Sequence, residues 1–158
     1  MSRKNKASRI LREAQAVLKN SQSRGLPSIW GATPSALNAL SLGPWQALDA
    51  LKYGAATKTE WETLAERVNV FVYLLNKYFQ DEALLERLRD AESSLNAIKQ
   101  RAIINNKPKL QASKEELQFV TEALEISDEV QKNCLRRELI EAYSQSAKFM
   151  NRRPNPNL

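Results

Sequence analysis

The chain has 158 residues, a formal net charge of +6, and 42% hydrophobic and 27% charged residues, which is typical of one globular domain with a sizeable core. It has no histidine and one cysteine, which excludes histidine-based nucleophiles and metal sites, thiolate zinc sites and an internal disulfide, and fits a reducing compartment. Its longest apolar run, residues 70–75, is far shorter than the roughly 20 residues of a membrane-spanning helix.

The positive charge is concentrated at the N-terminus. Seven of the 24 basic and one of the 18 acidic residues lie in the first 24 positions, so 17 residues of each sign cancel in the remainder. Residues 1–24 therefore form a cationic arm, a common contact surface for anionic partners. Its candidate nucleic-acid contacts are Arg3, Lys4, Lys6, Arg9, Arg12, Lys19 and Arg24. A frayed, solvated terminus and an organelle transit peptide are alternatives.

Within the arm, residues 7–18 are predicted to form an amphipathic helix, because apolar side chains recur at steps of three and four. These are Ile10, Leu11, Ala14, Val17 and Leu18. A membrane surface is disfavoured as a partner because this face has no Trp or Phe. There is also no apolar segment of the kind that a secretory signal needs. Residues 20–25 then indicate a stop and a linker.

Residues 25–44 are the least regular part of the sequence, punctuated by proline and glycine. A short helical turn is predicted over residues 34–40, and a short helix over residues 44–53, closed by Gly54 just past its end. Trp30 and Trp45 fall in or next to this region. They either close the end of a helical bundle or contact a partner.

The next element, residues 59–79, is predicted to be the central helix. Two overlapping capping boxes precede it, Thr57 with Glu60 and Thr59 with Glu62. Its apolar residues follow at steps of 3, 4, 3, 4 and 3, and they are Trp61, Leu64, Val68, Phe71, Leu75 and Tyr78. A second apolar stripe runs beside them. Asn69 and Asn76, which fall between its members, either hydrogen-bond to a neighbouring helix or touch water.

Two further helices are predicted, over residues 82–104 after the N-cap Asp81 and over residues 114–150 after a Ser113–Glu116 capping box. In the helix predicted over residues 114–150, the apolar residues are three or four positions apart until Val130, but the next one, Leu135, is five positions further on. The apolar seam therefore slips at this point. Either this long helix kinks, or it is two helices with a hidden break, or its second half faces another partner. Residues 151–158 are predicted to be a disordered tail.

Because of this slip, the apolar stripe after Val130 is not assigned to any neighbouring helix of the predicted bundle. An unpaired apolar stripe usually marks a partner or a second copy of the chain. The candidate partner-binding residues are therefore Leu135, Leu139, Ala142 and Phe149.

No catalytic motif is present. Glycine-rich phosphate-binding motifs are missing, and the carboxylates lie at helix starts and on polar faces, where the helix dipole and solubility explain them. Cys134 is predicted to be a small core residue rather than a nucleophile. We therefore expect a protein that is not an enzyme and has no metal, no cofactor and no small-molecule substrate.

Residues 47–69 fit the string ALxxLxxGxATxxxWxxLAxxxN, running from Ala47 through Gly54, Thr57 and Trp61 to Asn69. This string resembles a pattern in small uncharacterised helical proteins encoded by phages, plasmids and other mobile elements of proteobacteria. The resemblance implies an accessory protein of a mobile element, cytoplasmic in a bacterium, with no established activity. The basic arm departs from the pattern.

The sequence thus predicts an all-α protein: a helical bundle at residues 25–150, with a long C-terminal helix, a basic helical arm at 1–24 and a tail at 151–158. The expected function is non-enzymatic, the docking of a helical surface onto a host or phage macromolecule. The alternative is a nucleic-acid-binding regulator that uses the arm, with the unpaired stripe making a homodimer. The expected partner is accordingly a protein or a second copy, with nucleic acid as a further partner of the arm.

Overall fold

The computed structural model describes residues 34–152, and their side chains from 42 to 148. This part of the chain forms five α-helices and contains no strand, which confirms the prediction of an all-α bundle. No helix within it is both long and apolar enough to cross a membrane. The helices are α1 (Pro34–Lys52), α2 (Lys58–Leu74), α3 (Glu82–Ile104), α4 (Lys114–Asn133) and α5 (Arg136–Arg152). The arm and the tail lie outside the described residues.

Helix α1 is longer than the sequence predicts, because it runs through Pro44 instead of starting there. Pro44 lacks the backbone N–H that would donate to the carbonyl of Leu40, and its ring crowds the same carbonyl. Three residues of the next two turns, Ala47, Leu48 and Leu51, are buried in the core. Their burial outweighs the cost of the proline inside the helix, and the predicted turn and short helix merge into one element.

The turn between α1 and α2 is built as the sequence predicts. Gly54 has a left-handed φ of 70°, its N–H donates to the Leu51 carbonyl at 3.2 Å, and the Ala55 N–H donates to the Ala50 carbonyl at 2.8 Å. This pair of bonds is a Schellman motif. Thr57 then caps α2 in a reciprocal capping box with Glu60. The turn therefore fixes α1 and α2 as neighbours.

Every fixed position of the 47–69 string has a structural task. Its apolar letters are buried or packed on the core, Gly54 supplies the positive φ and Thr57 is the N-cap. The Trp61 indole donates to the carbonyl of Leu95 at 2.8 Å, and Asn69 donates to the Ser146 hydroxyl at 3.1 Å. The string thus specifies an α1–turn–α2 hairpin and its packing.

Replacing Gly54 with alanine is expected to lower the free energy of unfolding by about 1–2 kcal/mol. A Cβ at this position would meet nothing within 4 Å, so the cost is backbone strain at positive φ and not a clash. Chemical denaturation measures it. Gly54→Asn is the matched control, since asparagine tolerates this conformation, and it should lose clearly less. Equal losses in both variants would contradict this explanation.

Helix α2 packs against all four other helices and forms the centre of the core. Leu64, Val68, Phe71 and Leu75, predicted as its buried seam, are at most 1% exposed. A π-helical turn, Leu75–Phe79, continues α2 and ends at Gln80, which has a left-handed φ of 52°. The predicted seam of α3 is also confirmed, with Leu84, Leu88, Ala91, Leu95 and Ile98 buried.

The predicted long C-terminal helix is two helices, which selects the hidden break among the alternatives. Cys134 ends α4 in an extended conformation, with φ −89° and ψ 157°. The Leu135 N–H donates to the Glu138 carboxylate at 2.8 Å, and the Leu135 carbonyl accepts from the Leu139 N–H at 3.1 Å. Leu135 is therefore an N-cap with a glutamate three residues later, half of a capping box. Leucine is an unusual N-cap, which is why the sequence hides the break.

The break turns α5 back onto α2, and this corrects the prediction of an unpaired stripe. Leu135, Leu139 and Ala142 are 7%, 5% and 0% exposed within the single chain. Their predicted role as a free partner-binding surface is wrong for this conformation, because the core already covers them. Phe149 belongs to α5, but its side chain lies outside the described residues.

Candidate binding groove

A buried arginine on α2 connects three helices at the centre of the bundle. Arg67 is 1% exposed, and its Nε donates to the Ser127 hydroxyl at 2.9 Å. One terminal nitrogen donates to Gln131 Oε1 at 2.7 Å and to the Tyr143 hydroxyl at 3.1 Å. The other forms an ion pair with Asp128 at 2.9 Å. The guanidinium therefore ties α2 to α4 and to α5.

Asp128 carries the network onward to α1. Its second carboxylate oxygen accepts a hydrogen bond from the Trp45 indole Nε1 at 2.8 Å. A chain of polar contacts thus runs from Tyr143 through Arg67 and Asp128 to Trp45. Because the contacts engage both oxygens of the partly exposed Asp128 carboxylate, they fix the position of the Trp45 ring relative to α4.

The contacts of this network hold the helices of the bundle in one arrangement. The Arg67 guanidinium lies over the Phe71 ring, 4.3 Å from its centroid, in a cation–π contact. Within the described part of the chain, every buried side-chain nitrogen or oxygen has a hydrogen-bond partner. A fully satisfied polar cluster rigidifies a core and specifies one arrangement of the helices.

The Trp45 ring lines an open groove between α1 and α4, with a volume of about 1020 Å³. Trp45, Leu48 and Leu117 give it an apolar lining. The polar lining residues are Asp49, Lys52, Lys114, Gln118, Thr121, Glu122 and Glu125. A groove of this composition, between two helices, is a place where a third amphipathic helix fits.

The two helices of the groove are antiparallel. Trp45 of α1 contacts Asp128, near the end of α4, through the indole hydrogen bond. At the other end, the Leu110 N–H donates to the Ala56 carbonyl at 2.9 Å, which brings the segment after α1 beside the segment before α4. Between Lys114 and Glu125, α4 rises about 17 Å at 1.5 Å per residue. The groove therefore accommodates about three turns of helix.

The charges of the groove are unevenly distributed along it. Glu122 and Glu125 lie on the part of α4 toward Asp128, whereas Lys52 and Lys114 lie where α1 ends and α4 begins. Burial raises the pKa of the Glu125 carboxyl, and the negative charges of Glu122 and Asp128 raise it further. Two carboxylates, Glu122 and Glu125, at one end of an apolar groove favour a cationic group in that position.

A second polar cluster joins the π-helical turn to α5. Lys77 forms an ion pair with Glu141 at 2.7 Å, and the Tyr78 hydroxyl donates to the other oxygen of the same carboxylate. The Lys77 ammonium and the Tyr78 hydrogen bond hold the pKa of Glu141 below its usual value. Lys77 is exposed and Glu141 is partly exposed, so their ion pair contributes little to stability.

The other predicted site residues are placed as follows. The arm residues Arg3, Lys4, Lys6, Arg9, Arg12, Lys19 and Arg24 lie outside the described residues, so their predicted contact with nucleic acid stays a prediction. Cys134 is fully buried, as predicted for a small core residue. Among the described side chains, no group of three or more Asp, Glu or Cys residues is arranged to hold a metal ion.

The sequence patterns do not predict the roles of Arg67 and Asp128, or the groove. A signal for Arg67 exists, because it lies three residues after Leu64 and four before Phe71, inside the apolar arc of α2. A charged residue in such an arc is buried only when it is paired, which points to a partner on another helix. The sequence contains no indication of which carboxylate that partner is.

Comparisons with known proteins add no relative: no protein-family model matches the chain, and no curated protein or solved structure is significantly similar to it.

Proposed function

We propose that this chain is a non-enzymatic interaction protein that binds a basic amphipathic helix of a partner macromolecule in the α1–α4 groove. The observation that carries the proposal is the groove itself: an apolar lining, about three turns long, with an acidic end. A helix laid in such a groove buries residues at positions i, i+3, i+4 and i+7. Its basic residues meet Glu122 and Glu125.

The rigid wall of the groove supports the same proposal. Trp45 is held by Asp128, which is held in turn by Arg67. A receptor surface whose aromatic side chain is fixed before binding loses less conformational entropy when a ligand arrives. Tryptophan is also among the residues that contribute most to binding energy at interfaces. We therefore assign Trp45 as the main contact of the groove.

The sequence resemblance supports a cellular context. The 47–69 string of this chain resembles small accessory proteins of bacterial mobile elements, and here it specifies the α1–α2 hairpin that forms one side of the groove. We accordingly propose an accessory protein of such an element, acting in the bacterial cytoplasm on a host or phage macromolecule.

Affinity capture from the native host tests this function when it is combined with a groove variant. We expect a stoichiometric protein partner that survives nuclease treatment and is lost with Glu122→Lys/Glu125→Lys. The matched control is Glu62→Lys/Glu86→Lys, which changes the net charge equally outside the groove and should retain the partner. Cross-linking should place a basic amphipathic segment of the partner against α4. A partner kept by the groove variant would reject the groove as its site.

A second candidate function is nucleic-acid binding through the arm, favoured by the concentration of charge in residues 1–24. It does not need the homodimer of the sequence-based alternative, since Leu135, Leu139 and Ala142 of that stripe are buried within one chain. Contacts of arginine and lysine with phosphate need charge but little defined geometry, so the expected binding has no sequence preference.

If about five arm residues neutralise phosphates, affinity for duplex DNA should fall about 500-fold between roughly 50 and 200 mM salt. Fluorescence anisotropy with DNA and RNA of unrelated sequences measures this dependence. Deletion of residues 1–24 should abolish the binding, and Glu62→Lys/Glu86→Lys should leave it unchanged or slightly stronger. Unchanged affinity after the deletion would remove the arm as the contact.

A further inference from the structure

We propose that the chain's own arm is the resident ligand of the α1–α4 groove, with residues 7–18 lying there as a helix and Arg9 and Arg12 beside Glu122 and Glu125. This inference rests on the proposed function, because it uses the same groove. It adds a mechanism of regulation. An external partner must displace the arm from the groove, and nucleic acid must compete with the groove for Arg9 and Arg12.

The dimensions of the arm fit the groove. A helix of residues 7–18, as the sequence predicts, would be about 17 Å long at 1.5 Å per residue, the same as the distance from Lys114 to Glu125 along α4. The apolar stripe of the arm could pack against the apolar lining of the groove, which Trp45, Leu48 and Leu117 form. The stripe consists of Ile10, Leu11, Ala14, Val17 and Leu18.

Charge complementarity sets the direction of the arm. Arg9 and Arg12 lie in its first half, and Glu13 follows them. The acidic end of the groove is the end near Trp45, and Lys52 and Lys114 lie at the opposite end. The arm therefore runs parallel to α1 and antiparallel to α4. A cation beside Glu125 also relieves the repulsion from Glu122 and Asp128 that raises the pKa of this carboxyl.

The connecting segment is long enough for this arrangement. The arm would leave the groove near Lys52 and has to return to Pro34, a distance of about 27 Å along the 19 residues of α1. Residues 19–33 can span up to about 50 Å when extended. A tether of this length holds the arm at an effective concentration on the order of millimolar, so even a weak contact is populated.

Hydrogen–deuterium exchange on the full-length chain tests the proposal. We expect the amides of residues 10–18 to exchange about tenfold or more slower than an unstructured segment, at a rate independent of protein concentration over about a hundredfold range. Arg9→Glu/Arg12→Glu and Glu122→Lys/Glu125→Lys should each abolish the protection, and the four changes combined should restore it. Glu62→Lys/Glu86→Lys is the control and should keep it. Unchanged exchange in residues 64–75 reports that each variant is folded.

Two results would overturn the inference. Free exchange of residues 10–18 in the unmodified chain would mean that the arm is not docked. Protection that rises with protein concentration would mean that the arm occupies the groove of a second copy. Neither result touches the proposed function, which fails only if the captured partner is insensitive to the groove variant. The two proposals can therefore fail separately.

Discussion

Replacing Arg67 with alanine is expected to lower the free energy of unfolding by about 3–5 kcal/mol, as for other buried ion pairs that lose one partner. The change removes the donors to Ser127, Gln131, Tyr143 and Asp128 and leaves these groups without the guanidinium in a site where Arg67 is 1% exposed. When a buried polar group loses its hydrogen bond, the free-energy cost of removing that group from water is no longer offset. Equilibrium denaturation in urea measures the loss.

Two variants separate this explanation from a general effect of arginine removal. Arg89→Ala removes an exposed arginine from α3 and should change the stability by less than about 0.5 kcal/mol. Arg67→Met combined with Asp128→Asn removes both charges and keeps most of the volume, so it should lose clearly less than Arg67→Ala. If the double variant is the less stable of the two, the uncompensated carboxylate is not the main cause.

Replacing Phe71 with alanine is expected to cost about 3–5 kcal/mol, because a fully buried aromatic ring leaves a cavity at the centre of the bundle. The ring also forms the face on which the Arg67 guanidinium lies at 4.3 Å. A cation–π contact that is shielded from water contributes about 2 kcal/mol or more. Chemical denaturation again provides the measurement.

Phe71→Leu is the matched control, since it retains most of the apolar volume but removes the aromatic face. Its free energy of unfolding should fall by less than that of Phe71→Ala, because leucine leaves a smaller cavity. The double variant with Arg67→Ala should be non-additive, because the two side chains are in direct contact. A loss below about 1 kcal/mol for Phe71→Ala would mean that a different face of α2 points to the core.

Local signals allowed most of the helices to be predicted. Thr57, Asp81 and Ser113 each cap the helix that the sequence assigns to them. The buried seams of α2 and α3 can be predicted from heptad spacing alone, because apolar residues at this spacing share one face of a helix and that face is buried. Gly54 is predictable because few residues other than glycine adopt a left-handed φ without strain.

The remaining features depend on contacts between distant residues. The course of α1 through Pro44 depends on the burial of Ala47 and Leu51 against other helices, which outweighs a local helix breaker. The break at Cys134 uses leucine as an N-cap, so the local pattern conceals it. The groove exists because α1 packs beside α4, and Trp45 and Asp128 are 83 residues apart. Periodicity along one segment contains no information about such a pair.

The most direct measurement of the groove as a receptor uses its tryptophan. In the Arg9→Glu/Arg12→Glu chain, a synthetic peptide of residues 1–24 should shift the Trp45 indole N–H signal in a ¹H–¹⁵N spectrum and reach saturation. The Trp61 indole, which donates to Leu95 between α2 and α3, is an internal control and should not move. Adding Glu122→Lys/Glu125→Lys should abolish the Trp45 shift. An unmoved Trp45 signal, or equal shifts of both indoles, would contradict the docking of residues 1–24 between α1 and α4.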